Sequence, residues 1–344
     1  MAGKMASILA LSLLLAMQIG DVQATHCPPS GCPADVTDDV EFIQRRVNVE
    51  TPFEKVKADK GGDTTEGTPS CLLRSLHHLC FNFDGANSSK CHSNPKSFLE
   101  AQFAQYVPSG QEMATRQLMM ANNITKVSVG AHKTNICNDV IPQATMCTDR
   151  AELDLFQINS WISLVQSTKD EHGHGGFDVI FSEHVLEHFG PTQVEKIAAV
   201  SYAVLKPGGV FRIAVPDGYK PSPSYQLYVR AGGTPSGAGQ NHMVAWTVDT
   251  LPAIFQQVGF DIIKREHFTV DGTFHSDEDA YNEDHVYGII LRSGKHDPRN
   301  KSPFANVSSI GQLSEGDLRP GEPMFTSLWF DAVKPTSCHE LLAA

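Results

Sequence analysis

Ser182, Glu183 and His184 close the apolar run "FDVIF", and Glu187 and His188 follow within one more turn of chain. A core strand ordinarily stops in Gly, Asn or Asp. One that stops in a hydroxyl, a carboxylate and an imidazole delivers groups able to hold a ligand and move a proton. Imidazole titrates near neutral pH, so His184 is the candidate general base. The alternative is a histidine that caps the next turn or bonds a backbone carbonyl. Glu187 and His188 read as ties between that turn and neighbouring loops. Asp217 and Tyr219 follow the run "VFRIAV" as a candidate catalytic carboxylate and a substrate contact. Pro216-Asp217-Gly218 is also an ordinary turn sequence, so a structural role stands beside the catalytic one. Arg230 and His242, in the long loop beyond, are candidate substrate-binding residues, with surface positions as the alternative. "HGHGG" at 172–176 has the composition of a metal tract but no further ligand at a fixed spacing, and no metal site is expected. No Ser-His-Asp elbow, phosphate-binding loop or zinc spacing is found.

The elements that must position these residues begin near residue 122, where strands and helices alternate. "KVSVG" (126–130), "ATMCTD" (144–149), "WISLV" (161–165) and "FDVIF" (177–181) read as four strands. A helix opens at Pro191 and sets Val194, Ile197, Ala198, Ser201, Val204 and Leu205 on one face. "KPGG" (206–209) stops it, and "VFRIAVPD" (210–217) is the next strand. A second helix carries Leu251, Ile254, Phe255 and Val258 and ends at Gly259. "FDIIKREHF" and "HVYGIILRS" read as a final strand pair. The alternation predicts an α/β, doubly wound, mostly parallel sheet whose ligands bind at the carboxyl ends of the strands.

"GGFDVIFSEHVLEHF", the helix after it, "VLKPGGVFRIAVPDG" and "NHMVAWTVDTLPAIFQQVGF" together resemble the class I S-adenosylmethionine-dependent methyltransferases of the small-molecule and glycan type. The endings "RSGKHDPRN" and "SLWFDAVKP" resemble that group too, so the likeness spans roughly residues 124–335. The resemblance implies a seven-stranded Rossmann-like sheet with its last strand antiparallel, and S-adenosyl-L-methionine as cofactor. It places Gly130 at the glycine-rich turn after the first strand and Asp149 at the ribose hydroxyls. Ser182 and Glu183 become further cofactor contacts. The turn itself reads "VGAHKTN", with Ala131 and His132 where the family has small residues or glycine. The implied activity is methyl transfer to an oxygen or nitrogen of a small molecule or glycan. The altered turn keeps a second reading open, a catalytically inactive secreted binding protein that retains the fold.

Composition bounds the rest. A net charge of −12 offers no basic surplus for nucleic acid. Lys4 followed by "MASILALSLLLAMQIG" and a small-residue site ending at Ala24 predicts a signal peptide over 1–24. All eight cysteines lie beyond it, an even number suited to disulfides, with Cys27–Cys32 as the plausible local pair. Four glycosylation sequons begin at Asn87, Asn123, Asn300 and Asn306. The expected organisation is a polar linker over 25–70, a cysteine-containing helical extension over 71–121, and the α/β domain over 122–338. The mature chain is expected in the secretory lumen or outside the cell, without stable membrane insertion.

Overall fold

The computed structural model describes residues 79–80, 83, 85–130, 145–168, 175–232, 241–297 and 325–336. The predicted signal peptide, the linker, Cys27–Cys32, Ala131, His132 and the last two sequons lie outside these residues. Seven strands form one mixed sheet: β1 (Lys126–Ser128), β2 (Thr145–Cys147), β3 (Phe177–Glu183), β4 (Leu205–Val215), β5 (Asp261–Phe268), β6 (Phe274–Ser276) and β7 (Leu328–Val333). Their order is β2-β1-β3-β4-β7-β5-β6. The first four neighbours are parallel, and β7 runs antiparallel to both β4 and β5.

Side-chain alternation along β4 sorts the two faces. Phe211, Ile213 and Val215 enter the large core, whereas Ala214 enters a smaller cluster on the opposite side. Helix α5 (Pro191–Val204) covers the large core with Val194, Ile197, Ala198 and Val200. Its start is set by Pro191 at the first turn and by the Gln193 side chain, which accepts the Gly190 N–H at 3.0 Å. Helix α7 (Leu251–Val258) adds Leu251, Phe255 and Val258, and Gly259 ends it with a φ of +120°, a conformation that suits glycine. Phe255 sits among Phe211, Phe260 and Phe330, all with ring centroids 5.6–5.7 Å away. Each such buried side chain contributes about 1.5–3 kcal/mol of transfer free energy.

The described region before the sheet holds three helices: α1 (Gly85–Ser93), α2 (Pro95–Ala104) and α3 (Gly110–Ala121). A Cys80–Cys91 disulfide ties α1 to the residues before it, and Cys147 is disulfide-bonded as well. Ser109 and Glu112 form a capping box at the start of α3. Leu99 and Met119 from these helices belong to the same core as the sheet. No helix among the described residues is long and apolar enough to cross a membrane.

Two strand expectations are corrected. "WISLV" lies in helix α4 (Ile158–Val165), which buries Trp161, Leu164 and Val165, so "FDVIF" is the third described strand and not the fourth. A short apolar run has the same appearance in a buried helix and a buried strand. "HVYGIILRS" is not a strand either. His285–Tyr287 finishes helix α8 (Asp284–Tyr287), and Gly288 breaks it at a φ of +101° against the Phe181 ring. The N–H groups of Leu291 and Arg292 then donate to the Glu183 carboxylate, at 3.3 and 2.7 Å, instead of to a strand ladder. The strand that fills the expected place is β7, inserted between β4 and β5.

The second face of the sheet carries buried charge. Glu266 accepts the Gly294 N–H at 2.9 Å and the hydroxyls of Thr326 and Tyr281. Burial nevertheless pushes its carboxyl up from 4.5 to about 7. The folded chain therefore holds this proton more tightly than the unfolded chain does. The resulting stability is present below pH 4.5 and is lost as pH rises through about 7. A shift of this size corresponds to about 3 kcal/mol. Glu266→Gln removes the titration, so the variant's melting temperature should gain on the native protein's between those limits and run parallel above them. Parallel curves across the whole range would show that Glu266 does not titrate on folding.

Candidate functional site

In strand order, β2 and β3 flank β1, and open α/β sheets bind ligands beyond the carboxyl ends of strands at such a reversal of order. Gly130 follows β1 at that end. Its φ is +66°, and a Cβ there would stand 2.6 Å from Val185 Cγ2. The Val129 N–H donates to Phe181 O at 2.9 Å, which holds the end of β1 against the turn after β3. Only glycine combines that backbone angle with that approach. Asp149 lies two residues past β2 and is partly exposed at the same edge. Its Oδ1 accepts the Arg150 N–H at 2.7 Å, and its carbonyl accepts the N–H groups of Glu152 and Leu153 at 2.9 Å. It caps a tight turn just beyond the carboxyl end of β2.

His184 is the residue that turns β3 outward. It adopts a φ of +57°, in the left-handed region that non-glycine residues rarely occupy, and its N–H donates to Ala214 O at 2.8 Å. Its ring lies between two oxygens. Nε2 is 3.0 Å from Ser327 Oγ, and Nδ1 is 3.3 Å from Glu187 Oε1. Ser327 Oγ in turn donates to Arg292 O at 2.9 Å. With the Ser327 proton on that carbonyl, both ring nitrogens face acceptors, and the imidazolium satisfies them. When Ser327 instead donates to Nε2, the neutral ring keeps its Nδ1–H toward Glu187. The site thus sets an imidazole between a hydroxyl and a carboxylate. Burial raises the Glu187 carboxyl, but the contact and charge of His184 outweigh it and bring the group below the ordinary value.

Glu187 and His188 fall in a single 3-10 turn, Leu186–His188, onto which the segment 241–246 is clipped. Met243 N–H donates to Glu187 O at 2.8 Å, and Trp246 Nε1–H donates to Leu186 O at 3.0 Å. His242 is thereby carried beside His188, with ring centroids 5.1 Å apart, and its Nε2 is 3.8 Å from Glu187 Oε1. Glu187 is 1% exposed, and neither of its carboxylate oxygens has an aligned hydrogen bond; the 3.3 Å approach of His184 is an ion-pair contact. By sequence alone Glu187 and His188 read as ties and His242 as a candidate substrate contact. Nothing in the sequence signals their convergence, or that of Ser327 on His184, because loop packing and not spacing produces both.

The other expected site residues take different places. Ser182 is fully buried within β3, its hydroxyl without a hydrogen-bond partner. Glu183 is held by the N–H groups of Leu291 and Arg292. Asp217 is 0% exposed. Its Oδ1 accepts the Tyr219 N–H at 2.8 Å and its Oδ2 accepts the Phe268 N–H at 2.7 Å, so it braces the turn after β4 against the end of β5. Burial pushes its carboxyl up to about 6 despite these bonds. Tyr219 is part-buried against the large core, and Arg230 caps α6 (Pro223–Val229) in an exposed position. Gly130 thus lies against Val185, the residue after His184, and His184 and His242 meet at Glu187, whereas Asp149 stands after β2 and Asp217 braces the turn after β4.

Residues 119–213 match the family described as a methyltransferase domain. No curated protein matches the chain. Among solved structures, it is similar to a SAM-dependent methyltransferase from Archaeoglobus fulgidus at 13% identity and a TM-score of 0.31, over 70% of this chain and 99% of that one. It is also similar to phosphoethanolamine N-methyltransferase 2 of Haemonchus contortus in complex with S-adenosyl-L-methionine, at 15% identity and a TM-score of 0.30. That match covers 65% of this chain and 52% of the Haemonchus protein, about half its length.

Proposed function

We propose that the chain, whose residues 119–213 match the methyltransferase-domain family, transfers a methyl group from S-adenosyl-L-methionine to an oxygen or nitrogen of a small molecule or glycan. The observation that carries the reading is the carboxyl end of β1, where Gly130 turns the chain at a φ of +66° that suits glycine and Asp149 follows the neighbouring strand β2. These residues fit the cofactor: a glycine turn after the first strand for its amino-acid end, and a carboxylate after the second for vicinal ribose hydroxyls. When bound, the cofactor supplies an electrophilic methyl on a sulfonium. The protein's part is to align the acceptor and exclude water, and alignment is worth about 7–11 kcal/mol in well-oriented cases. A base is needed where the acceptor is protonated at working pH, and His184, with Glu187 3.3 Å from its Nδ1, is the proposed group to take that proton at Nε2. Tyr219, Arg230 and His242 are the proposed acceptor-side residues. Calorimetry and thermal shift with S-adenosylhomocysteine test the reading. Binding heat and a raised melting temperature are expected; neither signal at millimolar ligand would leave the fold as a binding module without this cofactor.

We also propose that the protein works in the oxidising secretory lumen or outside the cell. The leader-like first residues, the Cys80–Cys91 disulfide and the exposed sequons at Asn87 and Asn123 support this. Thiol titration of denatured, unreduced protein from its native host should find few or no free thiols. Eight would overturn the compartment.

A further inference from the structure

Glu187, His188 and His242 each offer a ligand atom, and the three atoms lie within 4.8 Å of one another. We propose that they bind one divalent transition-metal ion, with zinc the best match to the donors, through the Glu187 carboxylate and the Nε2 atoms of the two histidines. The histidines are already set for it. His188 Nδ1 is 3.0 Å from Asn241 O, and His242 Nδ1 is 2.9 Å from Val229 O. A carbonyl only accepts, so both Nδ1 atoms carry the proton and both Nε2 atoms present a lone pair. A backbone carbonyl on the far nitrogen is the usual support for a metal-bound imidazole.

Glu187 supplies the independent observation. Its carboxylate is 1% exposed, its oxygens lack aligned hydrogen bonds, and its near neighbours are imidazole nitrogens. A buried ionised carboxylate in that condition is costly unless a cation stands against it. His184 answers part of that charge from one side, and an ion held by His188 and His242 answers the rest. Two imidazoles and one carboxylate suit zinc, and the set contains no thiolate that would favour a softer ion. In a tetrahedral site with bonds of about 2.0–2.1 Å, ligand atoms stand roughly 3.3–3.5 Å apart. The 3.8 Å between His242 Nε2 and Glu187 Oε1 is close to that, and small side-chain rotations bring in the rest. Three protein ligands leave a fourth position, which water or an acceptor oxygen takes. The site begins three residues beyond His184 but does not depend on methyl transfer.

The test uses the full chain, stripped with a chelator and dialysed. Titration with zinc chloride should show one ion per chain, bound with a dissociation constant of about a micromolar or less, in accord with protein sites of this ligand set. Cobalt(II) should give the visible absorption of a four-coordinate centre. His188→Ala and His242→Ala should each weaken zinc at least tenfold, whereas His285→Ala, an exposed histidine bonded to Asn282 O, should not. Glu187→Gln keeps the shape and removes the charge, and guards against misfolding in the alanine variants. It too should weaken zinc while retaining the native circular dichroism. No stoichiometric binding, or affinity that the His188, His242 and Glu187 variants leave unchanged, overturns the site. Because S-adenosylhomocysteine affinity is measured separately, loss of one reading does not carry the other with it.

Discussion

Arg212→Ala is expected to lower the stability of the fold by about 3–5 kcal/mol, the usual result of breaking a buried ion pair from one side. Arg212 is 0% exposed in the middle of β4, and its cross-strand partner in β7 is Asp331. Its Nε and Nη2 donate to the two Asp331 oxygens at 2.9 Å each, and Nη1 donates to Asp284 at 3.2 Å and to Gly288 O at 2.8 Å. The guanidinium also lies 4.9 Å from the Trp329 ring centroid. Alanine removes all of this and leaves Asp331, 1% exposed, to Arg265 alone. The net worth of the intact pair is smaller than the cost of its loss, since desolvation offsets most of the attraction. Against a typical total of about 5–15 kcal/mol, the expected loss empties a large part of the native state at elevated temperature. Urea unfolding measures it, with exposed Arg230→Ala as a control expected to stay within about 0.5 kcal/mol. A loss below about 1 kcal/mol for Arg212→Ala would mean that Asp331 and Asp284 find water or other partners in solution.

Asp149→Ala is expected to weaken S-adenosylhomocysteine binding roughly ten- to a hundredfold, the equivalent of about 1.5–3 kcal/mol for hydrogen bonds to a charged acceptor. The carboxylate follows β2, the strand paired with the one that leads to Gly130, where the cofactor's ribose belongs under the proposed function. Its Oδ1 also accepts the Arg150 N–H, so the substitution removes a turn cap and lowers stability by about 1 kcal/mol as well. The two effects are read separately, by calorimetry and by melting temperature. His184→Ala makes the contrast: cofactor affinity should stay near the native value while turnover and its pH dependence change. A lowered melting temperature for Asp149→Ala with unchanged affinity would assign Asp149 to the turn alone and move the ribose elsewhere.

Much of the architecture was legible in the chain. The stretch from Phe177 to Val215 combines a run with four apolar residues in five, a helix opened by Pro191 and a second strand apolar at every position but Arg212 from Val210 onward, and each signal is local. Gly130 was legible for the same reason, because a glycine ending a β-run marks a backbone with no room for a side chain. The misreadings arose where local pattern is ambiguous. "WISLV" is apolar at every position but Ser163 and reads equally as strand or helix, and packing on the large core decided for the helix. "HVYGIILRS" has the composition of a strand, but Gly288 and the Glu183 carboxylate turn it across the sheet. The site divides along the same line. Its sheet-borne positions, Asp149 and His184, follow from where strands end. The partners of His184, the closure of Asp217 behind two backbone N–H groups and the meeting of Glu187, His188 and His242 do not. These contacts join segments far apart in the chain through the folding of loops, and only the three-dimensional packing of those loops sets which side chains share an environment.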